Sequence, residues 1–298
     1  MGGKPLDIIW CSIRFGASPN NYRDFGFASL SGAQRKTYVT NRLSRKMIKR
    51  FNDPEYIHLF EDKTKFAELF TEYFGRKWAS SENLTRETLE SFIHAVGGKF
   101  IYKPAGNAQG MGIRVYENVN PDKAWDEIRT QPKAILEEWI PQHELMSKVY
   151  SEAINCLRII TVYKDGQTTF LTGGVTRGNG MKIANASACG IVSPVNFKNG
   201  ILEKPAADFY GHVYTHHPLT NYPLVGFKVP FWQETIDMLR KAAGVVPQVG
   251  YVGWDVAITP SGPVIIEGNT TPGYKYYQIP AHMKNKIGNR EIYEQNLL

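Results

Sequence analysis

The chain has 298 residues, 42% of them hydrophobic, and its 35 Lys and Arg residues outnumber its 28 Asp and Glu residues to give a net charge of +7. This is enough material for one large or two intertwined hydrophobic cores. No apolar run approaches the ~20 residues of a transmembrane helix, and the apolar segment near the N-terminus is too short for a signal peptide. The three cysteines, Cys11, Cys156 and Cys189, cannot all pair and have no metal-binding spacing, so we expect reduced, buried thiols in a cytoplasmic protein.

Residues 1–95 are predicted to form a mostly helical N-terminal region. Apolar residues recur every four positions at Val39, Leu43, Met47 and Phe51, which indicates an amphipathic helix. The segment 25–52 contains no acid and seven basic residues: Arg35, Lys36, Arg42, Arg45, Lys46, Lys49 and Arg50. Either this is an ordinary solvated basic face, or it attracts an anionic partner such as a polysaccharide or a membrane surface. Nucleic acid is not expected, because no recognition module accompanies the charge.

Further helices are predicted at residues 63–73 and 85–96, the second of which begins at Thr85 with a sequence that resembles a helix cap. A glycine-rich hairpin follows them. Residues 100–102 and 113–116 supply its strands, and Lys103 stands at the entrance to the turn. The glycines at 106, 110 and 112 leave the backbone free to turn its N–H groups toward an anion, which Lys103 could meet as a point charge. The spacing fits neither the Walker nor the Rossmann pattern, and a flexible surface turn is the alternative.

Residues 134–141 are predicted to form a short apolar strand that runs into acidic residues and ends at a proline. This strand could offer backbone groups to an adenine edge, with Trp139 and Ile140 as apolar walls, and Glu144 could accept hydrogen bonds from ribose hydroxyls. A solvated acidic strand end is the alternative. A small-lobe helix is expected from Pro121.

Two arginines lie further along the chain. Arg158 belongs to a predicted strand, residues 156–163, that is otherwise apolar enough to be buried, where an unpaired charge is costly. Arg177 lies in the glycine-rich segment 173–180, which we interpret as a loop. His216 and His217 are expected to be exposed loop residues, and a helix is predicted at residues 231–243.

The segment 252–269 places three oxygen ligands on a predicted hairpin. Residues 256–259 and 264–267 are its strands, and Pro260-Ser-Gly is its turn. Asp255 begins the first strand, while Glu267 and Asn269 end the second, so all three should meet at one end of the sheet. Such ligands suit Mg²⁺ shared with phosphate, although acids at strand ends are also common.

The order of these motifs resembles the ATP-grasp superfamily. The chain is most similar to the sugar-transfer-associated ATP-grasp branch, over roughly residues 50–290. This similarity is found in the sequence around Lys63, in the segment Leu157-Arg158-Ile-Ile-Thr and in the segment Gly-Trp-Asp…Ile-Glu-Gly-Asn. This resemblance implies an α+β fold in which two α+β lobes clasp ATP, preceded here by the mostly helical region. The expected lobes are residues 96–142, with the glycine-rich loop, and residues 143–298, with the metal site. Many of these enzymes begin with a βαβ domain, which this sequence does not show.

The resemblance also implies roles for individual residues. Lys103 and Lys63 would contact phosphates, although Lys65 competes with Lys63 for that role. The segment from Asn107 through Gly110 to Gly112 would close over the triphosphate. Glu138 and Ile140 would meet adenine through their backbone, next to Glu137 and Trp139, and Glu144 would hold the ribose. Asp255, Glu267 and Asn269 would bind two Mg²⁺ ions, with Mn²⁺ as an alternative metal.

Arg158 and Arg177 are the candidates for contacting the γ-phosphate or an acylphosphate, since the arginine that many ATP-grasp ligases carry two residues before the first metal Asp is Gly253 here. Tyr274 and Lys275 are candidate substrate contacts.

The function implied is an ATP- and Mg²⁺-dependent carboxylate–amine or –thiol ligase that works through an acylphosphate. The specific reaction that we expect joins an amino acid to a sugar-derived or other small acceptor in cell-surface polysaccharide or secondary-metabolite biosynthesis. The alternatives are a kinase that phosphorylates a small-molecule hydroxyl and a non-catalytic nucleotide-binding partner of a glycosyltransferase. A cytoplasmic location, or a peripheral one at the inner membrane face, fits each of them.

Overall fold

The computed structural model describes residues 5–105, 112–180, 190–283 and 285–297. Short helices dominate its first part. They are α1 (Pro5–Phe15), α2 (Pro19–Asp24), α3 (Gly32–Arg35), α4 (Asn41–Phe51), α5 (His58–Glu61), α6 (Lys63–Leu69) and α7 (Thr71–Phe74). The amphipathic helix predicted from the four-residue period is α4, whose Leu43 and Met47 are buried. The helix predicted at 63–73 is divided into α6 and α7.

A four-stranded antiparallel sheet follows, in the strand order β1-β4-β2-β3. Its elements are β1 (Trp78–Ser80), α8 (Arg86–Ala95), β2 (Lys99–Pro104), β3 (Arg114–Glu117), α9 (Pro121–Ile128) and β4 (Ala134–Glu138). Thr85 caps α8 with a reciprocal side-chain bond to Thr88, as its sequence predicts. The strand β1 was not predicted: it pairs with β4, so part of the helical N-terminal segment contributes to this sheet.

The second sheet has seven strands in the order β11-β10-β5-β6-β7-β8-β9. Its elements are α10 (Glu144–Val149), β5 (Cys156–Lys164), β6 (Gln167–Arg177), β7 (Ile191–Pro194), β8 (Ala206–Ala207), β9 (Val213–Tyr214), α11 (Trp232–Ala242), β10 (Tyr251–Thr259), β11 (Gly262–Asn269) and α12 (Arg290–Glu294). The hairpin predicted around Pro260-Ser-Gly is β10–β11, and the predicted strand and helix at 156–163 and 231–243 are β5 and α11. All described strand pairs in both sheets are antiparallel.

Both faces of the larger sheet are covered. One face carries Leu157, Ile159 and Trp254, which pack with α5–α7 and α11. The other face carries Ile160, Val162 and Tyr251, which pack with Phe15, Phe25, Tyr38 and other residues of the N-terminal helices. The N-terminal region is therefore integral to the larger sheet. Among the helices of the described chain, none has the length and apolar character that crossing a bilayer requires.

Two sequence interpretations are wrong. Arg177 does not lie in a loop: it is the last residue of β6 and is buried. Gly173 and Gly174, which contributed to the loop interpretation, lie in a crowded part of the sheet, since a Cβ at Gly174 would lie 2.3 Å from Ser193 O. His217 is buried rather than exposed. Its ring stacks on Tyr150, and its Nε2–H donates to Gly178 O at 2.9 Å. His216 is exposed as expected.

The prediction of reduced, buried cysteine thiols is confirmed in part. Cys11 and Cys156 are unpaired; Cys11 is buried, but Cys156 is partly exposed. Cys189 lies outside the described residues.

Burial lowers the pKa of His282 to about 4 in the folded protein, against about 6.5 in an unfolded chain. Between these values the unfolded chain binds a proton that the folded protein excludes, so stability should fall as pH decreases from about 6.5 to about 4. We expect His282→Gln to flatten this dependence by up to ~3 kcal/mol, measured by urea unfolding across that range. His94→Gln, at an exposed histidine, is the control and should leave the profile unchanged. Identical profiles for all three proteins would contradict the prediction.

Candidate functional site

Three neighbouring strands bring Arg158, Asp255 and Glu267 side by side. Asp255 on β10 pairs directly with Arg158 on β5 and with Glu267 on β11, so the three side chains project from the same face. Asn269 lies two residues beyond Glu267 on that face, and its Nδ2 donates to Glu267 Oε1 at 3.2 Å. The three predicted metal ligands are therefore together, with an arginine beside them.

A β-bulge sets this arrangement. Asp255 pairs with Glu267 but Val256 pairs with Ile265, which leaves Ile266 without an opposite residue. In a regular ladder, side chains alternate between faces, so an inserted residue changes which face the following side chains occupy. The bulge therefore brings Glu267 to the face of Asp255 while Ile265 stays in the apolar core.

The charge balance of this cluster favours a cation. Arg158 forms a bidentate ion pair with Asp255, with Nη2 donating to Oδ2 at 2.6 Å. Burial and the nearby Asp255 raise the pKa of Glu267, while Arg158 and Asn269 oppose that effect. Two carboxylates and one carboxamide offer the hard oxygen ligands that Mg²⁺ accepts. Among the described residues, no three His, Cys, Asp or Glu side chains form a metal site by themselves, so phosphate oxygens or water would have to complete the coordination.

Gly253 lies beside Arg158 on this face of the sheet. It precedes Asp255 by two residues on the same strand face, and a Cβ at Gly253 would lie 3.5 Å from Arg158 Cδ. Many ATP-grasp ligases have an arginine at the position of Gly253. Here the positive charge next to Asp255 comes from Arg158 on the neighbouring strand β5. Burial lowers the pKa of Arg158, but Asp255 and other neighbouring groups raise it above its usual value, so the guanidinium stays charged.

A buried ion cluster connects the smaller sheet to β11, the strand that carries Glu267 and Asn269. Glu137 Oε2 accepts from Arg76 Nε at 2.6 Å and from Lys103 Nζ at 2.8 Å, and both charged partners are largely buried. Lys103 and Arg76 together hold the pKa of Glu137 below its usual range, against the effect of burial. Arg76 also donates to Ile265 O at 2.8 Å and to Ile266 O at 3.3 Å, at the bulge. The predicted phosphate ligand Lys103 is therefore tied to the bulge through Glu137 and Arg76.

Lys63 lies close to this cluster. Burial lowers the pKa of Lys63, Glu267 opposes that effect, and Lys103 adds to it. Lys63 is the first residue of α6, which Asp62 caps, and its Nζ is 3.5 Å from Ala105 O. Lys65, the competing candidate, is exposed. The structure thus brings Lys63 rather than Lys65 toward Lys103 and Glu267.

The residues after β4 connect the two sheets. Glu138 exchanges hydrogen bonds with the backbone of Lys77, through both its N–H and its carboxylate. Trp139 is partly exposed beneath the Lys99 ammonium, while Ile140 packs against Ala257 and Val264 of the larger sheet. Glu144 lies on the exposed surface of α10 and pairs with Lys148 at 2.5 Å. The contacts described do not bring Glu144 to the ion cluster, and its ribose role stays a prediction.

The two predicted substrate contacts anchor the N-terminal helices. Tyr274 is buried, its hydroxyl donates to Asn41 Oδ1 at 2.6 Å, and burial raises its pKa to about 12. Lys275 pairs with Asp24 at 3.3 Å. Both residues follow β11 closely in sequence, but their described contacts are with Asn41 and Asp24 of the N-terminal region.

Arg177 does not join Asp255 and Glu267. Because Val175 pairs with Leu157, and Gly174 with Arg158, residue 177 projects from the opposite face of the sheet. Its Nη1 donates to Ser193 Oγ at 3.1 Å, whereas its Nε and Nη2 have no hydrogen-bond partner among the residues described. Burial lowers the pKa of Arg177 to about 9. A role for Arg177 at the phosphates stays a prediction.

Asn107 and Gly110 lie outside the described residues. Gly112 is described and has a positive φ of 77°, a conformation that glycine adopts without strain.

Arg76 and Gly75 were not singled out in the sequence. Gly75 has a φ of +60°, and a Cβ there would lie 2.2 Å from Val264 Cγ1, so only glycine lets the chain approach β11 closely enough for Arg76 to reach the bulge. The available signal was Glu137, a carboxylate in an apolar strand that needs buried cations. Nothing local pointed to a partner 61 residues away.

Comparison with protein families gives one match over most of the chain. The family described as sugar-transfer associated ATP-grasp matches residues 42–288. No curated protein matches the sequence.

Solved structures with related folds are distant. The ATP-grasp ligase PsnB, complexed with a minimal precursor, is 13% identical with a TM-score of 0.45, over 76% of this chain and 57% of its own. D-alanyl-alanine synthetase A from Vibrio cholerae is 13% identical with a TM-score of 0.48, over 82% and 65%. Carboxyaminoimidazole ribonucleotide synthase from Aspergillus clavatus, complexed with ATP, is 13% identical with a TM-score of 0.48, over 79% and 56%. The chain spans less than two thirds of the length of each, and at these values the likeness carries no conclusion about activity.

Removing the charge of Glu137 should destabilise the protein strongly. In Glu137→Gln, Arg76 and Lys103 would stay buried without their counter-charge, which typically costs ~3–5 kcal/mol. Glu138→Gln is the matched control, because its amide oxygen can still accept from Lys77 N and the loss should be ~1 kcal/mol or less. Urea unfolding of both variants measures the difference. Equal losses would show that the ion cluster does not stabilise the contact between the sheets.

Proposed function

Because the chain belongs to the sugar-transfer-associated ATP-grasp family, we propose that it is an ATP- and Mg²⁺-dependent ligase that joins a carboxylate to an amine. The concrete version couples an amino acid with a sugar-derived acid or amine in cell-surface polysaccharide or secondary-metabolite biosynthesis. We also retain the division into residues 1–95, 96–142 and 143–298, with ATP between the last two.

The proposed reaction has two steps. A carboxylate oxygen of the substrate attacks the γ-phosphorus of ATP, the bond to the β-phosphate oxygen breaks, and ADP leaves. The amine then attacks the acyl carbon, loses a proton and expels inorganic phosphate. Negative charge accumulates on the phosphoryl oxygens in the first step, so fixed cations aimed at them lower the barrier. Bound Mg²⁺ would supply further neutralisation of that charge.

Each residue has a role that follows from its position. Asp255, Glu267 and Asn269 would hold the metal. Lys63 and Lys103 would contact the phosphates, and the segment 107–112 would cover them. Arg158 would meet the γ-phosphate or the acylphosphate, since it lies directly beside Asp255 on the metal-binding face.

The observation that carries the proposal is the pairing of Asp255 with Glu267 beside Arg158, close to Lys63 and Lys103. If Arg158 had only a structural role, one carboxylate, that of Asp255, would be enough to balance its charge. Here a second carboxylate, Glu267, lies near Lys63 of α6, which in turn lies near Lys103 of the smaller sheet. A metal–triphosphate complex, which carries charges of both signs, would balance this arrangement.

Thermal unfolding with ATP, with and without Mg²⁺, tests the nucleotide site. A ligand that binds only the folded protein stabilises it by roughly 2.7 kcal/mol at a hundred times its dissociation constant. We expect a large Mg²⁺-dependent rise of the midpoint for the wild type and a much smaller rise for Glu267→Gln. Glu203→Gln, at a carboxylate bound by Asn196 and Asn199, is the control and should respond like the wild type.

ADP release with combinations of acids and amines then tests the reaction class. Turnover that needs both an acid and an amine supports the ligase, whereas a stable phosphoester formed without an amine would make the protein a kinase. No Mg²⁺-dependent shift in the wild type would contradict the nucleotide site itself.

A groove beside α4 is the proposed entrance for the carboxylate substrate. It has a volume of about 450 Å³ and is lined by Arg45, Ile48, Lys49, Asn52, Pro54 and Ile57. Asn52 Nδ2 donates at 3.0 Å to the carbonyl of Thr270, the residue after Asn269, so one wall of the groove is attached to the end of the metal strand. Two cations over an apolar floor suit a substrate that carries a second anionic group.

Arg45→Ala combined with Lys49→Ala should therefore raise KM for the acid about tenfold or more, because charge-assisted hydrogen bonds to a ligand contribute on the order of 1.5–3 kcal/mol each. The Mg²⁺–ATP shift should stay unchanged. Lys46→Ala combined with Arg50→Ala removes the same charge from α4 outside the groove and should leave KM near the wild-type value. Equal effects of the two pairs would mean that α4 acts only through its overall charge.

A further inference from the structure

Helix α1 has an apolar face that the described part of the chain leaves exposed. Leu6, Ile9, Trp10 and Ile13 project from one side of the helix, at the i, i+3, i+4 and i+7 spacing. Leu6 is 80% exposed and Ile13 is 72% exposed, while Ile9 and Trp10 are about half exposed. The opposite side of the same helix packs Cys11 and Phe15 into the core. Helix α1 is therefore apolar on two sides, and the N-terminal core explains only one of them.

The helix is held rigidly in this orientation. Arg35 forms a bidentate ion pair with Asp7, at 2.7 and 2.8 Å, and Tyr22 donates to the same carboxylate at 2.6 Å. At the other end, Arg42 Nη2 donates to Ser12 O at 3.1 Å and to Ile13 O at 2.7 Å. The exposed face is thus presented by a fixed helix. It also lies outside the region that matches the ATP-grasp family, so the nucleotide site does not account for it.

The surroundings of this face are basic. Arg42, which caps the C-terminal end of α1, begins the cationic side of α4, and the whole segment 25–52 has no acidic residue. An apolar helix face beside a concentrated positive charge complements a surface that is apolar beneath and anionic on top. A second copy of the chain would bring two like-charged surfaces together. The face also offers only on the order of 500 Å², below the ~800 Å² per partner of a stable dimer.

We propose that α1 docks this protein on an anionic lipid bilayer, with Leu6, Ile9, Trp10 and Ile13 inserted among the acyl chains and with Arg42, together with the exposed basic residues of α4 that lie outside the groove, against the headgroups. The helix lies in the plane of the interface and does not span it. The proposal is independent of the nucleotide chemistry, because no residue of the candidate site belongs to α1.

Co-sedimentation of the full chain with vesicles tests this docking. Vesicles of phosphatidylcholine mixed with phosphatidylserine should bind the wild type, and binding should weaken with added salt. Leu6→Glu combined with Ile13→Glu should reduce binding at least about tenfold, because two exposed apolar side chains are replaced by charges that anionic lipid repels. Both positions are exposed, so the unfolding midpoint and its Mg²⁺–ATP shift should not change.

Leu219→Glu combined with Val225→Glu is the matched control. It introduces the same charge at exposed apolar residues away from α1 and should leave binding unchanged. Three results would overturn the proposal: equal binding to vesicles of phosphatidylcholine alone, unchanged binding of the α1 variant, or loss of binding in the control pair as well. A dimer in sedimentation equilibrium that only the α1 substitutions dissociate, without vesicle binding, would assign the face to a second copy instead.

Discussion

The buried carboxylate of Glu137 connects the two sheets, and the rest of the candidate site depends on that connection. Glu137 is paired with Arg76 and Lys103 on the side of the smaller sheet, and Arg76 binds the carbonyls of the bulge in β11. A buried ion pair of this kind contributes little net stability, but losing one member leaves an uncompensated charge. The cluster therefore fixes the position of Lys103 relative to the strand that carries Glu267 and Asn269.

The larger sheet supplies the carboxylates of the candidate site, and strand pairing determines their positions. Antiparallel pairing of β5, β10 and β11 puts Arg158, Asp255 and Glu267 in one row, and the bulge at Ile266 keeps Glu267 on the face of Asp255. Carboxylates on one sheet thus face lysines from the other part of the fold, with Lys63 influenced by both Glu267 and Lys103. Such a site is prepared for a ligand that brings cations and anions together, as a metal–nucleotide complex does.

Local sequence patterns predicted part of the fold and of the candidate site. The β10–β11 hairpin followed from a turn signal between two apolar runs, and α4 and α8 followed from their period and cap. Arg76 could not be found in this way, because its importance depends on Glu137, 61 positions away, and on the close approach that Gly75 permits. Arg177 was misplaced because the glycines before it suggested a loop, whereas the structure uses them to bring strands close together. A bulge such as that at Ile266 leaves no periodic signal, so the register could not be predicted either.

Crystals of the protein with a non-hydrolysable ATP analogue and Mn²⁺ would test the central claim most directly, through the anomalous scattering of the metal. We predict an anomalous peak bonded to carboxylate oxygens of Glu267 and to Asn269 Oδ1, at about the 2.1 Å of hard-cation coordination, with the triphosphate between Lys63 and Lys103. A nucleotide bound elsewhere, or a metal that does not touch Glu267, would contradict the account.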